Sequence, residues 1–443
     1  MPDLSCSRRT LLKGAASATA LYGVSGRLAA QAAIPTAPMR APRRPAPGEK
    51  LRIACVGCGG KGATDVQEVG TEQIVALCDV DWSRAKRVAQ MFPAVPRFQD
   101  YRVMLRELDE QIDAVTVSVP DHMHFPIARR AIELGKHVFV QKPLTHSVWE
   151  ARQLAELARR HGVATQMGNQ GQADESGRVL CEYLWSGAIG AVREVHVWTN
   201  RPIWPQAIER PKEQPPVPAT LDWDLWLGVA PERPYHPAYH PFRWRGWMDF
   251  GTGALGDIGC HSFAPIFRAL KLGAPLSVEA SSSPRAKETF PAASIVRYDF
   301  PARADLPPVK LTWYDGGLKP ARPEGLEPDR SLGEGGTIYV GDRGTIYNGR
   351  LLPESRMRET KPPARTLPRS PGHYAEWLRA CRGGEPAGSN FDVAGPIAEA
   401  VLLGNVALLT GQRLEWDAAA LRITNAPAAN AYLRRQYRAG WDG

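Results

Sequence analysis

The chain has 443 residues, 43% of them hydrophobic and 23% charged, with 55 Lys and Arg against 46 Asp and Glu. That length and balance predict two globular domains. The formal charge of +9 does not mark a nucleic-acid binder, because residues 1–32 and 33–50 carry +3 each and leave only +3 for everything after them.

The first residues read as an address. Ser7-Arg8-Arg9-Thr10-Leu11-Leu12-Lys13 matches a twin-arginine export signal, and Ala30-Gln31-Ala32 fits the small-x-small cleavage rule. The expectation is a signal peptide over 1–32, recognised by the twin-arginine export machinery, and a periplasmic or otherwise exported mature protein starting at Ala33. An uncleaved anchor is the weaker alternative. The apolar run is broken by Gly14, Ser17, Thr19 and Gly23 and falls short of the roughly 20 residues a span needs. No later stretch reads as membrane-spanning, so the mature chain is expected to have no membrane span. Residues 33–50 are rich in Pro and Ala and hold Arg40, Arg43 and Arg44. They cannot bury a core and read as a linker, or as an arm crossing to a neighbouring subunit and covering its cofactor cleft.

From residue 51, short apolar strands at 51–56, 73–79, 114–119, 137–140 and 163–167 alternate with helical stretches at 83–91, 101–106, 125–134 and 147–161. This alternation predicts a parallel sheet covered on both faces, an α/β Rossmann-type dinucleotide-binding domain over 51–170. After the first strand comes Gly57-Cys58-Gly59-Gly60-Lys61-Gly62, which fits G-x-G-x-x-G. Gly57 permits the turn, Gly59 and Gly60 let backbone approach a pyrophosphate, and Gly62 allows close packing of the following helix. Asp79, at the end of the next strand, is placed to hold the adenosine ribose and to repel a 2′-phosphate. NAD is therefore expected, while Lys61 and Arg84 leave NADP open. Cys55-x-x-Cys58 overlaps this loop and has no second pair, so no metal or redox site is expected. Gly168-Asn169-Gln170 ends the last parallel strand, where Asn169 and Gln170 are candidates for binding substrate hydroxyls.

The second half, 171–443, changes character. Strands at 192–199, 276–282, 293–299, 309–314, 337–340 and 344–347 lack intervening long helices. They predict an α+β domain built on a large, mostly antiparallel open sheet, with helices at 263–270, 373–382 and 393–410 over one face; the last of these were also allowed to pack back on the first domain. The stretch 202–241 is Pro-rich and aromatic without regular period. Its rings, Tyr239 among them, are suited to stacking on a sugar, or else to packing on one another.

Three further motifs complete the picture. Val119-Pro120-Asp121-His122-Met123-His124 and Gln141-Lys142-Pro143 each follow a parallel strand at the edge where ligands bind. Gly256-Asp257-Ile258-Gly259-Cys260-His261 puts Asp257 and His261 on one face if it is helical. With the glycine loop, these motifs resemble the Gfo/Idh/MocA oxidoreductases over nearly all of the chain beyond the arm. The resemblance implies that Pro120 and His124 line the nicotinamide, with Asp121 in place of the commoner Asn. It implies that Trp244 and Arg245 contact the cofactor, and that Lys142, Asp257 and His261 form the catalytic group. His261 would be the general base and a substrate contact, with Asp257 orienting the imidazole or binding a hydroxyl. The family's Glu-Lys-Pro reads Gln141-Lys142-Pro143 here, which leaves the cofactor role of position 141 in doubt. Relatives pair through the open sheet face, so a homodimer or homotetramer is expected, and the exported glucose–fructose oxidoreductase branch carries an arm.

The function expected is oxidation or reduction of a hydroxyl of a carbohydrate (a sugar or glycoside) or polyol, with a cofactor kept bound because the periplasm offers no obvious dinucleotide pool. Two alternatives stand: NAD-dependent glycoside hydrolysis through transient oxidation, and a sugar-binding protein without catalysis.

Overall fold

The computed structural model describes residues 40–441. The twin-arginine motif, the cleavage site and the first part of the arm lie outside the described residues.

The first sheet has six parallel strands: β1 (Arg52–Val56), β2 (Gln73–Cys78), β3 (Arg97–Phe98), β4 (Ala114–Val117), β5 (His137–Val140) and β6 (Thr165–Met167). Their order is β3-β2-β1-β4-β5-β6, the doubly wound arrangement. β4 and β5 are buried at every position, as strands covered on both faces must be. Helix Val148–His161 begins with a capping box in which the Ser147 hydroxyl accepts from the Glu150 N–H, and it ends on left-handed Gly162.

The second sheet has nine strands: β7 (Val192–Trp198), β8 (Ser277–Ser282), β9 (Ser294–Phe300), β10 (Val309–Tyr314), β11 (Gly336–Gly341), β12 (Gly344–Tyr347), β13 (Arg350–Leu352), β14 (Leu414–Asp417) and β15 (Arg422–Ile423). They run β13-β12-β11-β7-β10-β9-β8-β14-β15, antiparallel except for β7 beside β10. One face packs Tyr298, Phe300 and Trp313 against Phe263 and Phe267 of helix Gly253–Leu270. The other face presents Glu194, Arg297 and Lys310 to solvent.

The structure bears on four expectations. Helix Gly253–Leu270 starts ten residues before the predicted 263. The extension carries Asp257 and His261, whose glycine-rich surroundings mask the helical pattern. Helix His373–Cys381 does not cover the open sheet; Trp377 and Cys381 are buried with Leu51, Ile53 and Phe139 in the core of the first domain. Helix Phe391–Thr410 is long and apolar enough to cross a membrane, against the expectation that nothing is. Its apolarity has another cause: it packs against helix Val148–His161, helix Gly253–Leu270 and β8, so it is buried on nearly all sides.

The fourth expectation, a linker or a crossing arm over 33–50, concerns a segment described only from residue 40. Its described part does not reach away from its own chain. Arg40 pairs with Asp109 and Glu110, and Arg43 pairs with Asp113, which also holds Arg52. Asp113 directly precedes β4 and Arg52 begins β1, so the segment crosses the amino ends of the parallel strands, opposite the glycine loop.

Buried histidines set the acid response of this fold. Burial lowers His122 to about 3 and His124, His137 and His261 to about 4. Unfolded, these rings titrate near 6.5. Between pH 6.5 and 4 the unfolded chain therefore binds more protons, and acid draws the equilibrium toward it. Asp121 and Asp315, pushed up by burial to about 7 and about 6, act in the opposite sense over part of that window. With His146, His196, His240 and His373 lowered in the same way, eight imidazoles outweigh the four carboxyls that burial raises, Asp79, Asp121, Glu150 and Asp315. The calorimetric unfolding midpoint is expected to fall as pH drops from 6.5 to 4; a flat or rising midpoint would contradict this account.

Candidate active site

The carboxyl ends of the parallel strands open into a cleft of about 470 Å³ lined by Gly57, Gly59, Gly60, Asp79, Pro120, Gln141, Lys142, Trp244, Arg245 and Asp257, among others. Its floor is shaped by missing side chains. A Cβ on Gly57, whose φ is +81°, would lie 2.3 Å from the Ser118 carbonyl oxygen, and one on Gly62 would lie 2.0 Å from that of Gly57. Any other residue would push the loop off the sheet. Helix Lys61–Glu68 starts there with no side chain capping its first turn, so its free N–H groups face the cleft. Asp79 is fixed at the end of β2, accepting from the Cys58 N–H at 2.7 Å and the Asp81 N–H at 2.9 Å. These features fit a dinucleotide: a cradle for the pyrophosphate, an acceptor for the ribose and an apolar slot on either side. Cys55 and Cys58 take no part. Both are buried, and burial pushes the Cys55 thiol up to about 12.

At the other end of the cleft three cationic and anionic groups meet. Lys142 Nζ donates to Asp257 Oδ1 at 2.6 Å and to the Asp257 carbonyl oxygen at 2.8 Å. Arg245 Nε donates to the same Oδ1 at 3.3 Å, its guanidinium 4.2 Å from the Trp244 ring centre and 4.6 Å from that of Phe242. Burial pushes the Asp257 carboxyl up, but Lys142 and Arg245 outweigh it and hold it below its ordinary range. His261 lies one helical turn beyond Asp257. Burial and then the Lys142 charge lower it to about 4, so the ring is neutral at neutral pH. Asp257 engages Lys142 and Arg245 rather than His261, so it does not orient the imidazole by a hydrogen bond.

Asp121 accepts from Thr252 Oγ1 at 2.6 Å beneath this group. Burial pushes it up to about 7, against the pull of Thr252, Lys142 and Arg245. This end of the cleft thus holds one carboxylate kept ionised and one carboxyl whose protonated form burial favours.

Residues 51–169 match the oxidoreductase family with an NAD-binding Rossmann fold, and residues 194–303 match that family's C-terminal alpha/beta domain. The chain belongs to the Gfo/Idh/MocA oxidoreductase family. Its first domain is the family's NAD-binding Rossmann fold.

Among relatives, the chain is 28% identical over 193 residues to the dTDP-3,4-didehydro-2,6-dideoxy-alpha-D-glucose 3-reductase of Actinomadura kijaniata, covering 43% of this chain and 56% of that one. It is 31% identical over 212 residues to a glycosyl hydrolase family 109 protein of Saccharopolyspora erythraea, covering 42% and 44%. The chain spans about half the length of the curated relatives it matches. Among solved structures, the WlbA dehydrogenase of Bordetella pertussis, in complex with NADH and UDP-GlcNAcA, superposes with a TM-score of 0.58 at 17% identity, covering 83% of this chain and 99% of that one. At that identity the likeness is one of fold.

Several residues marked in the sequence do not reach the cleft of this family member. His124 is fully buried, its ring nitrogens 2.7 Å from the Pro143 carbonyl oxygen and 2.8 Å from that of Val119. It ties the 120 loop to the Lys142 loop and does not line the cleft. Asn169 is buried too, donating to the Cys260 carbonyl oxygen and accepting from Ser389 Oγ, and it does not line the cleft. Tyr239 lies among Trp223, Trp247 and Phe250, so the aromatic stretch packs on its own rings. Its members Trp226 and His240, and Phe242 just after it, do wall the cleft. Gln170 remains half-buried, donating to the Tyr374 hydroxyl at 3.3 Å.

The role of Gln141 emerges from a residue that the sequence reading passed over. Asp65, fully buried on the helix after the glycine loop, accepts from Gln141 Nε2 at 2.8 Å, Ser118 Oγ at 2.7 Å and the Tyr374 hydroxyl at 2.6 Å, and pairs with Lys61 Nζ at 2.9 Å. A Glu at 141 would set two carboxylates against each other. The chain keeps a carboxylate here but carries it on Asp65, and the amide at 141 is its complement. The only sequence signal was the departure from Glu itself.

Proposed function

We propose that this family member transfers hydride to or from a carbinol carbon of a sugar, glycoside or polyol, and keeps its NAD through turnover. The observation that carries the reading is the Lys142–Asp257 pair at the nicotinamide end of the cleft, with neutral His261 on the same helix face. When bound, NAD supplies a hydride acceptor or donor at that end. Lys142 has three donors, and Asp257 engages two, so one N–H is left for the substrate oxygen. Arg245 helps keep Asp257 ionised and so keeps Lys142 in place. His261 accepts the hydroxyl proton. Phe242 and Trp244 pack on the Arg245 guanidinium at this end. The sugar-modifying relatives support the substrate class.

The test is to add sugars, glycosides and polyols to the purified protein and follow the absorbance of reduced nicotinamide. At least one class is expected to reduce the bound cofactor. If none does, and no ketosugar reoxidises the reduced form, the reading fails. The glycosyl hydrolase family 109 relative favours a second reading, in which the same groups serve a redox-neutral cleavage. Free sugar released from an aryl glycoside without net NADH would select it.

The proposal extends to setting. The twin-arginine motif supports export, and the polar, uncovered face of the nine-stranded sheet supports pairing into a homodimer or homotetramer.

A further inference from the structure

A Rossmann cleft has a fixed order of occupancy. The pyrophosphate lies over the loop after β1, the adenosine ribose at the end of β2, and the adenine farther out, toward β3. Here that far end is Gln99, Asp100 and Tyr101, and the first domain does not enclose it alone. Trp441, Leu225 and Trp226 line the same cleft. They come from the segment 427–441 and from the aromatic insertion, and neither shows a signal for nucleotide binding in the sequence.

Trp441 is held there from several directions. It is almost buried, and its ring centre lies 4.1 Å from the Arg102 guanidinium. Arg102 is itself clamped by Asp100, with Nε and Nη2 donating to the carboxylate at 3.0 and 2.7 Å. Behind Trp441, its own N–H donates to the Arg438 carbonyl oxygen. The Arg438 side chain reaches the Gly228 carbonyl oxygen at 3.0 Å and Asp224 Oδ1 at 2.5 Å, next to Leu225 and Trp226. Farther back, the Tyr437 hydroxyl donates to Glu150 Oε1 at 2.6 Å. A segment anchored this way at successive residues delivers one large flat side chain, already immobilised, to the place where a flat base must sit. Such preorganisation removes most of the ordering cost from a stacking contact.

We propose that Trp441 is an adenine-binding residue, and that the clasp between segment 427–441 and the insertion holds the adenosine half of NAD from the side opposite the glycine loop. The second domain then retains the cofactor through residues of the same subunit.

The experiment measures equilibrium binding of NAD, AMP and nicotinamide mononucleotide to the full chain, after exchange of any bound cofactor, for wild type, Trp441→Ala and Trp441→Phe. Loss of one base–aromatic stack is expected to weaken NAD and AMP alike by about tenfold in the Ala variant. The Phe variant should recover most of that, and nicotinamide mononucleotide, which has no adenine, should bind all three proteins equally. Unchanged AMP affinity in Trp441→Ala overturns the proposal. So does an equal loss for nicotinamide mononucleotide, which would mean that the whole cleft had deformed. If Trp441→Ala does not fold, the Phe variant and Trp441→Leu decide: Leu weakening AMP but not nicotinamide mononucleotide supports the assignment, and Leu equal to wild type refutes it.

Discussion

Lys142→Met is expected to lower turnover by at least ~10²-fold, the scale of losing a positioned proton donor, while bound NAD is retained. The substitution keeps the apolar stem and removes the group that bridges Asp257 Oδ1 and the Asp257 carbonyl oxygen. Asp257 keeps Arg245 at 3.3 Å, so its charge is not left bare in a buried site. The pyrophosphate cradle and Asp79 lie at other strand ends and should not notice. His261→Ala should show the same pattern for a different reason, because the proton acceptor is lost while Lys142 stays in place. Single-turnover reduction of the bound cofactor, read beside the cofactor content of the unfolded protein, separates chemistry from binding. Full turnover in either variant would remove that residue from the mechanism.

Gln141→Glu should be nearly as damaging, although it restores the family's own residue. It would bring a second carboxylate to where Gln141 Nε2 now lies 2.8 Å from Asp65. Two carboxyls that close cannot both ionise, and one must take a proton or swing away. Either response moves the strand end that carries Lys142 and disturbs Ser118 behind Gly57. A loss of about 10- to 100-fold in NAD affinity and a lower unfolding midpoint are expected. Asp65→Asn alone should be milder, since two amides can pair head to tail after flipping. The double variant Asp65→Asn/Gln141→Glu restores one carboxylate and one amide with their places exchanged, and it should recover most of the affinity. If the double variant is as impaired as Gln141→Glu, the pair is not the reason for glutamine at 141.

Much of this molecule is legible in its residues because the governing interactions are local. Strand–helix alternation, the glycine spacing and Asp79 at the next strand end are short-range patterns. They fixed the doubly wound sheet and the place of its ligand. Lys142 and His261 could be singled out because each sits in a motif a few residues long. The mostly antiparallel second sheet was likewise readable from strands that follow one another without long helices between them; burial then alternates along β9 and β10.

Tertiary structure alone decided which marked side chains face the cleft and which hold it up. His124, Asn169 and Tyr239 have the chemistry of ligands, yet each is spent on a neighbour far away in sequence: Pro143, Cys260 and Trp223. Asp65 and Trp441 have no motif around them and owe their places to contacts hundreds of residues apart, with Tyr374 and with Arg102. The apolar length of Phe391–Thr410 goes with its burial against two helices and β8. A sequence records what each residue can do, but burial and long-range partners determine which of those capacities remain free, and they exist only once the chain has closed on itself.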